Sequence, residues 1–212
     1  MNDHLISGIY AITDPNLLST EAQLLSAVDD ALSQGVRIIQ YRDKTASNEQ
    51  QLARAKLINQ LCDQYQAVSI INDSLELAIA SNAHGVHLGQ TDGSIEEARK
   101  QLKTGSIIGV TCHDDLALAQ QAEKAGADYV AFGRFFPSET KPHAKPADIR
   151  CLAEAKTHLS IPIVAIGGIN PHNMSQIIDA GADSLAVIHA IFGQPDTKAA
   201  ASELVNRFRS LT

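Results

Sequence analysis

Short apolar runs rich in β-branched residues alternate with segments of helical spacing along the chain. The runs are Gly8–Asp14, Val36–Tyr41, Ala67–Asn72, Val86–Gly89, Ser106–Thr111, Tyr129–Gly133, Pro162–Gly167 and Ser184–Ile191, which predicts eight strands. Most are apolar at successive positions rather than at every second one. That is the pattern of strands covered on both faces, as in a parallel sheet. In Glu21–Gln34, residues Leu24, Leu25, Val28, Ala31 and Leu32 recur at three- and four-residue steps, which predicts a helix. Glu49–Tyr65, Asp114–Ala125, Pro171–Ala180 and Thr197–Arg209 read the same way. Glycine follows several helical segments, at Gln34-Gly35, His84-Gly85, Ala125-Gly126 and Ala180-Gly181, where a left-handed cap is expected. The phrase Ala125-Gly126-Ala127-Asp128 returns as Ala180-Gly181-Ala182-Asp183, a repeat expected to join a helix cap to the next strand.

Eight β–α pairs in 212 residues fit a single-domain (β/α)8 TIM barrel close to its minimal length, spanning residues 1–212 without a linker. The competing architecture is an open doubly wound sheet. It is disfavoured because no GxGxxG phosphate turn follows the first strand. The only long loop-like stretch is Pro137–Pro146.

Composition narrows the function. Apolar residues at 44% and charged residues at 19% describe a globular chain able to bury a core. The 24 acids against 17 bases give a net charge of −7. An acidic chain argues against nucleic-acid partners and against anionic membranes, and at first against an anionic substrate. Cys62, Cys112 and Cys151 cannot all pair within the chain and form no CxxC, so reduced thiols in a cytoplasm are expected. The N-terminus has no basic segment followed by an apolar run, and no stretch approaches the roughly 20 apolar residues that span a bilayer.

In such a barrel, chemistry gathers at the carboxyl ends of the strands. At the second, Gln40, Arg42 and Lys44 alternate and so share one face, an amide and two cations suited to phosphate; ordinary solvated residues at a strand end are the plain alternative. The third and fourth strands end in Asn72-Asp73 and in Gly89-Gln90-Thr91-Asp92. Asp73 and Asp92 are hard oxygen donors next to that grip and point to Mg2+, although each could instead cap a helix, as could Ser74 and Ser94. Cys112 reads as buried filler, and His113 as structural, a cap for the next helix, with a ligand contact as the alternative. Beyond the sixth strand, Ser138 and Thr140 beside Lys141 suit phosphate oxygens or form a plain polar loop. Gly167-Gly168 either admits a ligand close to backbone N–H groups or makes a tight turn.

These residues resemble the thiamine phosphate synthase family. The resemblance covers nearly the whole chain, from Tyr10-Ala11-Ile12-Thr13-Asp14 to Ile191. Its most specific pieces are Gln40-Tyr41-Arg42-Asp43-Lys44, Ile71-Asn72-Asp73, Gly85–Asp92, Thr140-Lys141 and Ala165–Ile169. It implies an enzyme that joins an aminopyrimidine methyl diphosphate to a thiazole phosphate and releases pyrophosphate. It implies that Gln40, Arg42, Lys44 and Asn72 hold the pyrimidine diphosphate, with Tyr41 and Asp43 in the same binding run. Asp73 and Asp92 would bind Mg2+. Arg42, Lys44 and Lys141 would be catalytic, at the diphosphate, with Thr111 nearby. Pro137, Ser138, Glu139, Gly168, Ile188 and His189 would border the thiazole phosphate.

The chain departs from the family pattern at three places: Thr111 where serine is usual, Ser138 where threonine is usual, and His189 where serine is usual. The first two keep a hydroxyl. His189 brings a bulkier, ionisable ring to a phosphate site, or turns its ring away and leaves its backbone N–H there. Rival readings are a thiazole tautomerase of the same fold, a Schiff-base aldolase, and a non-catalytic phosphate-ligand sensor. The aldolase would need a lysine within a strand, which Tyr129–Arg134 lacks. Small-molecule substrates are the implied partners. The oligomeric state, a homo-oligomer included, is left open by the sequence.

Overall fold

Each β-branched run closes against the next to form a barrel. The computed structural model describes residues 6–137 and 146–212. The strands are β1 (Gly8–Ile12), β2 (Ile38–Tyr41), β3 (Val68–Asn72), β4 (Gly85–Leu88), β5 (Ile107–His113), β6 (Tyr129–Gly133), β7 (Ile163–Ile166) and β8 (Ser184–Val187). They pair in parallel in chain order, and β1 pairs with β8 to close the sheet. The helices are α1 (Glu21–Ser33), α2 (Asn48–Gln64), α3 (Leu75–Ser81), α4 (Ile95–Gln101), α5 (Leu116–Ala125), α6 (Arg150–His158), α7 (Met174–Asp179), α8 (His189–Phe192) and α9 (Thr197–Leu211).

Strand alternation divides the core into two layers. Ile9, Ala11, Ile39, Ile71 and Val86 point outward to meet Val28, Ala31, Ile58 and Leu204 of the helices. Tyr10, Ile12, Ile38, Ile70, Tyr129 and Val164 point inward and fill the barrel. Burial of each large aliphatic side chain contributes about 1.5–3 kcal/mol.

Local chemistry sets the helix starts. Thr20 and Ser47 form capping boxes with Gln23 and Gln50, while Ser74, Ser94, Asp115 and Asp196 accept from first-turn N–H groups. The helix ends depart from expectation at Gly85. Asn82, left-handed, ends α3, and Gly85 opens β4 instead. A Cβ at Gly85 would stand 2.2 Å from the carbonyl oxygen of Ile107, so close strand approach, not capping, requires glycine there. The last apolar run also divides: β8 stops at Val187, and His189–Phe192 turn into the short α8.

The repeated Ala-Gly-Ala-Asp phrase does the same work twice. Asp128, ahead of β6, accepts the Ile108 N–H at 2.7 Å and pairs with Arg99 at 2.6 Å. Asp183, ahead of β8, accepts the Ile163 N–H at 2.9 Å and pairs with Lys156 at 2.5 Å. Each carboxylate ties the entry of the preceding strand to a neighbouring helix. Among the described residues, no helix is long and apolar enough to cross a membrane.

Candidate active site

A cavity of about 700 Å³ opens at the carboxyl end of the barrel. Gln40, Arg42, Lys44, Asn72, Asp73, Asp92, Thr111, Pro137, Gly168, Ile188 and His189 all line it. Ser138, Glu139, Thr140 and Lys141 lie outside the described residues.

Arg42 and Lys44 follow the end of β2 rather than lying on it. Arg42 is held by β1: its N–H donates to Thr13 Oγ1 at 2.9 Å, and that hydroxyl donates to the Arg42 carbonyl at 3.2 Å. Thr13 is itself buried, so it is a rigid post for the cation. Lys44 Nζ lies 2.6 Å from Asp73 Oδ2. Tyr41 and Asp43 take the opposite direction and do not border this cavity. They border a smaller one of about 180 Å³ behind it. There Asp43 accepts from Arg54 at 2.9 Å and from the Thr45 and Ala46 N–H groups at 2.9 and 3.0 Å. The alternation that aims Gln40 into the barrel aims Tyr41 away from it, and the Asp43 carboxylate is spent on Arg54 and its own loop.

The two acids are free of helix capping, because Ser74 and Ser94 take that task. Asp73 adopts a left-handed backbone (φ 64) and donates its N–H to the His87 carbonyl at 2.8 Å, which fixes it at the rim. Burial raises the Asp73 pKa, but the hydrogen bond and charge of Lys44, with contacts to Asp92 and Asn72, hold it below the usual carboxylate range. Asp92 Oδ2 accepts the Gly89 N–H at 2.9 Å. A side chain at Gly89 would put its Cβ 2.6 Å from that oxygen, so glycine lets Asp92 fold back.

Asp73 and Asp92 both border the cavity, and Lys44 already gives Asp73 a cationic partner. Among the described residues, no group of three or more His, Cys, Asp or Glu gathers to hold a metal. Two hard carboxylates beside Arg42 and Lys44 are oxygen donors of the kind that suit Mg2+, which is often held by one or two carboxylates.

At the far side, the β6 exit packs on the glycine turn after β7. Phe135 and Phe136 N–H groups donate to the Ile166 and Gly167 carbonyls at 3.2 and 3.0 Å. A Cβ at Gly167 would lie 2.2 Å from Arg134 Cβ, and one at Gly168 would lie 2.3 Å from the Pro137 carbonyl oxygen. Both glycines have positive φ, so turn geometry and packing require them. Arg134 is a cation of this wall that strand-end reading overlooks: it lines the cavity, and its Nη1 donates to the Phe136 carbonyl at 3.2 Å. Its signal is position alone, one residue beyond β6 between Gly133 and an aromatic pair.

His113 also borders the cavity and is exposed, while Asp115 caps α5, so a capping role for His113 is not met. Cys112 is fully buried, and burial pushes its thiol up to about 12, as expected of filler. No lysine lies on β6, which leaves the aldolase reading without its nucleophile.

Comparison with known proteins agrees with this geometry. The thiamine monophosphate synthase family model matches residues 9–191. The chain is 56% identical to thiamine-phosphate synthase of Alcanivorax borkumensis over 92% of its own length and 90% of the relative's. It is 50% identical to that of Nitrosococcus oceani, over 97% and 94%. Among solved structures it is similar to thiamine phosphate pyrophosphorylase from Pyrococcus furiosus, at 34% identity, 96% coverage of both chains and a TM-score of 0.87. An eight-stranded barrel of this sequence, with its polar residues at the strand ends, belongs to the thiamine monophosphate synthase family.

Proposed function

We propose that the chain joins 4-amino-2-methyl-5-(diphosphooxymethyl)pyrimidine to a thiazole phosphate and releases pyrophosphate. The observation that carries this reading is one cavity lined by three permanent cations: Arg42 and Lys44 beside the acids Asp73 and Asp92, and Arg134 on another wall, with His189 also bordering it. Two anionic substrates that repel each other in water would be held together by such a cavity.

Gln40 and Asn72 would orient the pyrimidine, and Arg42 and Lys44 would take the diphosphate oxygens. Thr111 would add a hydroxyl there, and Lys141 a further cation. Asp73 and Asp92 would hold Mg2+, which when bound neutralises charge gathering on the departing pyrophosphate. As the carbon–oxygen bond to pyrophosphate breaks, the electron-rich aminopyrimidine spreads the positive charge left on its methylene. The thiazole nitrogen then gives its lone pair to that carbon. No general base is needed for that step, because the attacking nitrogen carries no proton. The thiazole phosphate would rest at the opposite wall, on Gly168, Ile188 and His189 with Arg134, bordered by Pro137, Ser138 and Glu139. Buried Cys62 and Cys112 thiols, and a chain without paired cysteines, support work in a reducing cytoplasm.

The test is pyrophosphate release measured with both substrates and Mg2+, then with each omitted in turn. Release is expected only with all three. Release without the thiazole phosphate would mean a simple hydrolase, and no release with all three would overturn the reading.

A further inference from the structure

The floor of the cavity carries an unbroken run of side-chain hydrogen bonds across the barrel. Gln40 Nε2 lies 2.7 Å from the Tyr10 hydroxyl, and the Tyr10 and Tyr129 hydroxyls lie 2.8 Å apart. The Tyr129 hydroxyl is 2.9 Å from His87 Nδ1, and His87 Nε2 is 2.8 Å from Thr111 Oγ1. Five strands contribute one member each, and all five side chains border the cavity. The inner three are nearly sealed, at 1%, 0% and 8% exposure for Tyr10, Tyr129 and His87. Gly109 makes the room: a Cβ there would stand 1.9 Å from Tyr129 Cζ. The Tyr129 ring stacks on His87 with centroids 5.6 Å apart.

With a neutral His87 ring, proton accounting allows this run only two coherent senses. A sealed hydroxyl has one proton and must spend it on a neighbour. When Gln40 donates from Nε2, Tyr10 must donate to Tyr129, and Tyr129 to His87 Nδ1. The neutral ring then carries its proton on Nε2 and donates it to Thr111. The Thr111 proton is left for the cavity, and Gln40 shows the cavity its carbonyl oxygen. Turning the Gln40 amide over reverses every bond. Thr111 then donates to Nε2, Nδ1–H to Tyr129, Tyr129 to Tyr10, and Tyr10 to Gln40 Oε1. In that sense Gln40 offers an N–H to the cavity and Thr111 a lone pair. Any mixed sense leaves a buried proton unspent or sets two donors face to face.

We propose that Tyr10, Tyr129 and His87 form a two-sense relay that couples Gln40 to Thr111, so that a donor on the ring bound at Gln40 makes the Thr111 hydroxyl a donor toward the diphosphate. The proposal rests on the substrate reading above and goes beyond it. An amino-substituted ring satisfies the Gln40 oxygen and turns Thr111 toward phosphate oxygens. The 4-oxo ring presents an acceptor, sets the opposite sense, and aims the Thr111 lone pair at those oxygens. Ring identity is thus read twice, once at Gln40 and once at the far end of the relay. Tyr10, Tyr129 and His87 act here as positioning residues.

The test is a double-mutant cycle on binding. Gln40→Ala, Thr111→Val and the pair are compared by calorimetry, with the 4-aminopyrimidine methyl diphosphate and Mg2+ as the probe. The cycle is run in the intact chain and again with Tyr129→Phe, which keeps the ring and removes the central hydroxyl. In the intact chain the two losses are expected to be non-additive by on the order of fivefold. With Tyr129→Phe they should add, and preference for the 4-amino over the 4-oxo probe should fall. Additive losses in the intact chain, or non-additivity that survives Tyr129→Phe, would overturn the relay. If Tyr129→Phe shows no cooperative melt, His87→Leu severs the run at another link and carries the same expectations. Failure of the unaltered chain to bind the 4-amino probe would overturn the substrate reading instead, so the two failures are distinct.

Discussion

Arg134 and His189 face the same volume from neighbouring walls of the barrel. Arg134 is half-buried, and its Nη1 donates to the Phe136 carbonyl at 3.2 Å, which ties the guanidinium to the cavity wall. A fixed guanidinium matches a phosphate with two parallel donors, which a mobile point charge does not. Arg134→Met keeps much of the length and removes the charge. It is expected to raise the KM for thiazole phosphate about tenfold, with the KM for the pyrimidine diphosphate held within about twofold. Steady-state kinetics with each substrate varied in turn will show this; equal KM values for the variant and the unaltered chain would remove Arg134 from the site. At this scale Gln40, Arg42, Lys44, Asp73 and Asp92 were legible from strand ends, and Asn72, Thr111 and His189 from the family resemblance; the structure gathers all of them on one cavity. Arg134 and Thr13 were not. Nothing in Gly133-Arg134-Phe135 separates a cavity arginine from a solvated one, and the value of Thr13 lies in a contact with Arg42, 29 positions away.

Elements are joined at the opposite end of the barrel by carboxylates and one histidine. Asp128 spans β5, α4 and the entry to β6. Asp128→Ala leaves the Ile108 N–H and Arg99 without this partner and is expected to cost about 1–3 kcal/mol, read as a lower urea midpoint. A midpoint unchanged from the native value would show the clamp to be idle. His84 joins α2, β3 and β4: its Nδ1 accepts the Ser69 N–H at 3.1 Å and its Nε2 reaches Asp63 at 3.1 Å. Nδ1 as an acceptor cannot carry a proton, so protonation there loses the Ser69 N–H bond and leaves only the Ser69 hydroxyl, 2.8 Å away, to take the ring proton. Burial lowers the His84 pKa below its usual 6.5, Lys103 lowers it further, and Asp63 opposes both. A depressed folded value means that the unfolded chain takes the proton more readily. Stability from this site is therefore complete above about pH 6.5 and falls as pH drops through the lower folded value. His84→Asn keeps an acceptor near Ser69 and cannot titrate in this range. Thermal melting between pH 7.5 and 5 should therefore fall less steeply for the variant, and parallel slopes would exclude His84 as the cause. The helical spacing of Glu21–Gln34 and Thr197–Arg209 announced α1 and α9. By contrast α6 went unread although Ile149, Leu152, Ala155 and Leu159 recur at three- and four-residue steps, and α8 hides at the end of an apolar run that reads as strand.

Across the whole molecule, an acidic exterior surrounds a cavity whose cations face inward. The net charge of −7 is a sum over the whole chain, so it does not describe the cavity, where Arg42, Lys44 and Arg134 gather with Asp73 and Asp92. Asp73 and Asp92 stand at the rim, in loops beyond β3 and β4, while the closed sheet and the two core layers hold the fold. Removing Mg2+ with EDTA is thus expected to abolish pyrophosphate release and leave the melting temperature within about 2 °C, since nothing in the core depends on the metal. A fall of several degrees would give the metal a structural part.

The sequence by itself determined the barrel and most of its site. Strand and helix periods are local, and eight β–α units of this length close in one way. Residues at successive strand ends then share a face by alternation. The tertiary structure alone decided that Tyr41 and Asp43 turn to a separate cavity, that Gly85 and Gly109 exist for neighbours on the next strands, and that Gln40, Tyr10, Tyr129, His87 and Thr111 form one hydrogen-bonded run. Those contacts join residues up to 119 positions apart, and such distances are set by barrel closure, which no local pattern records.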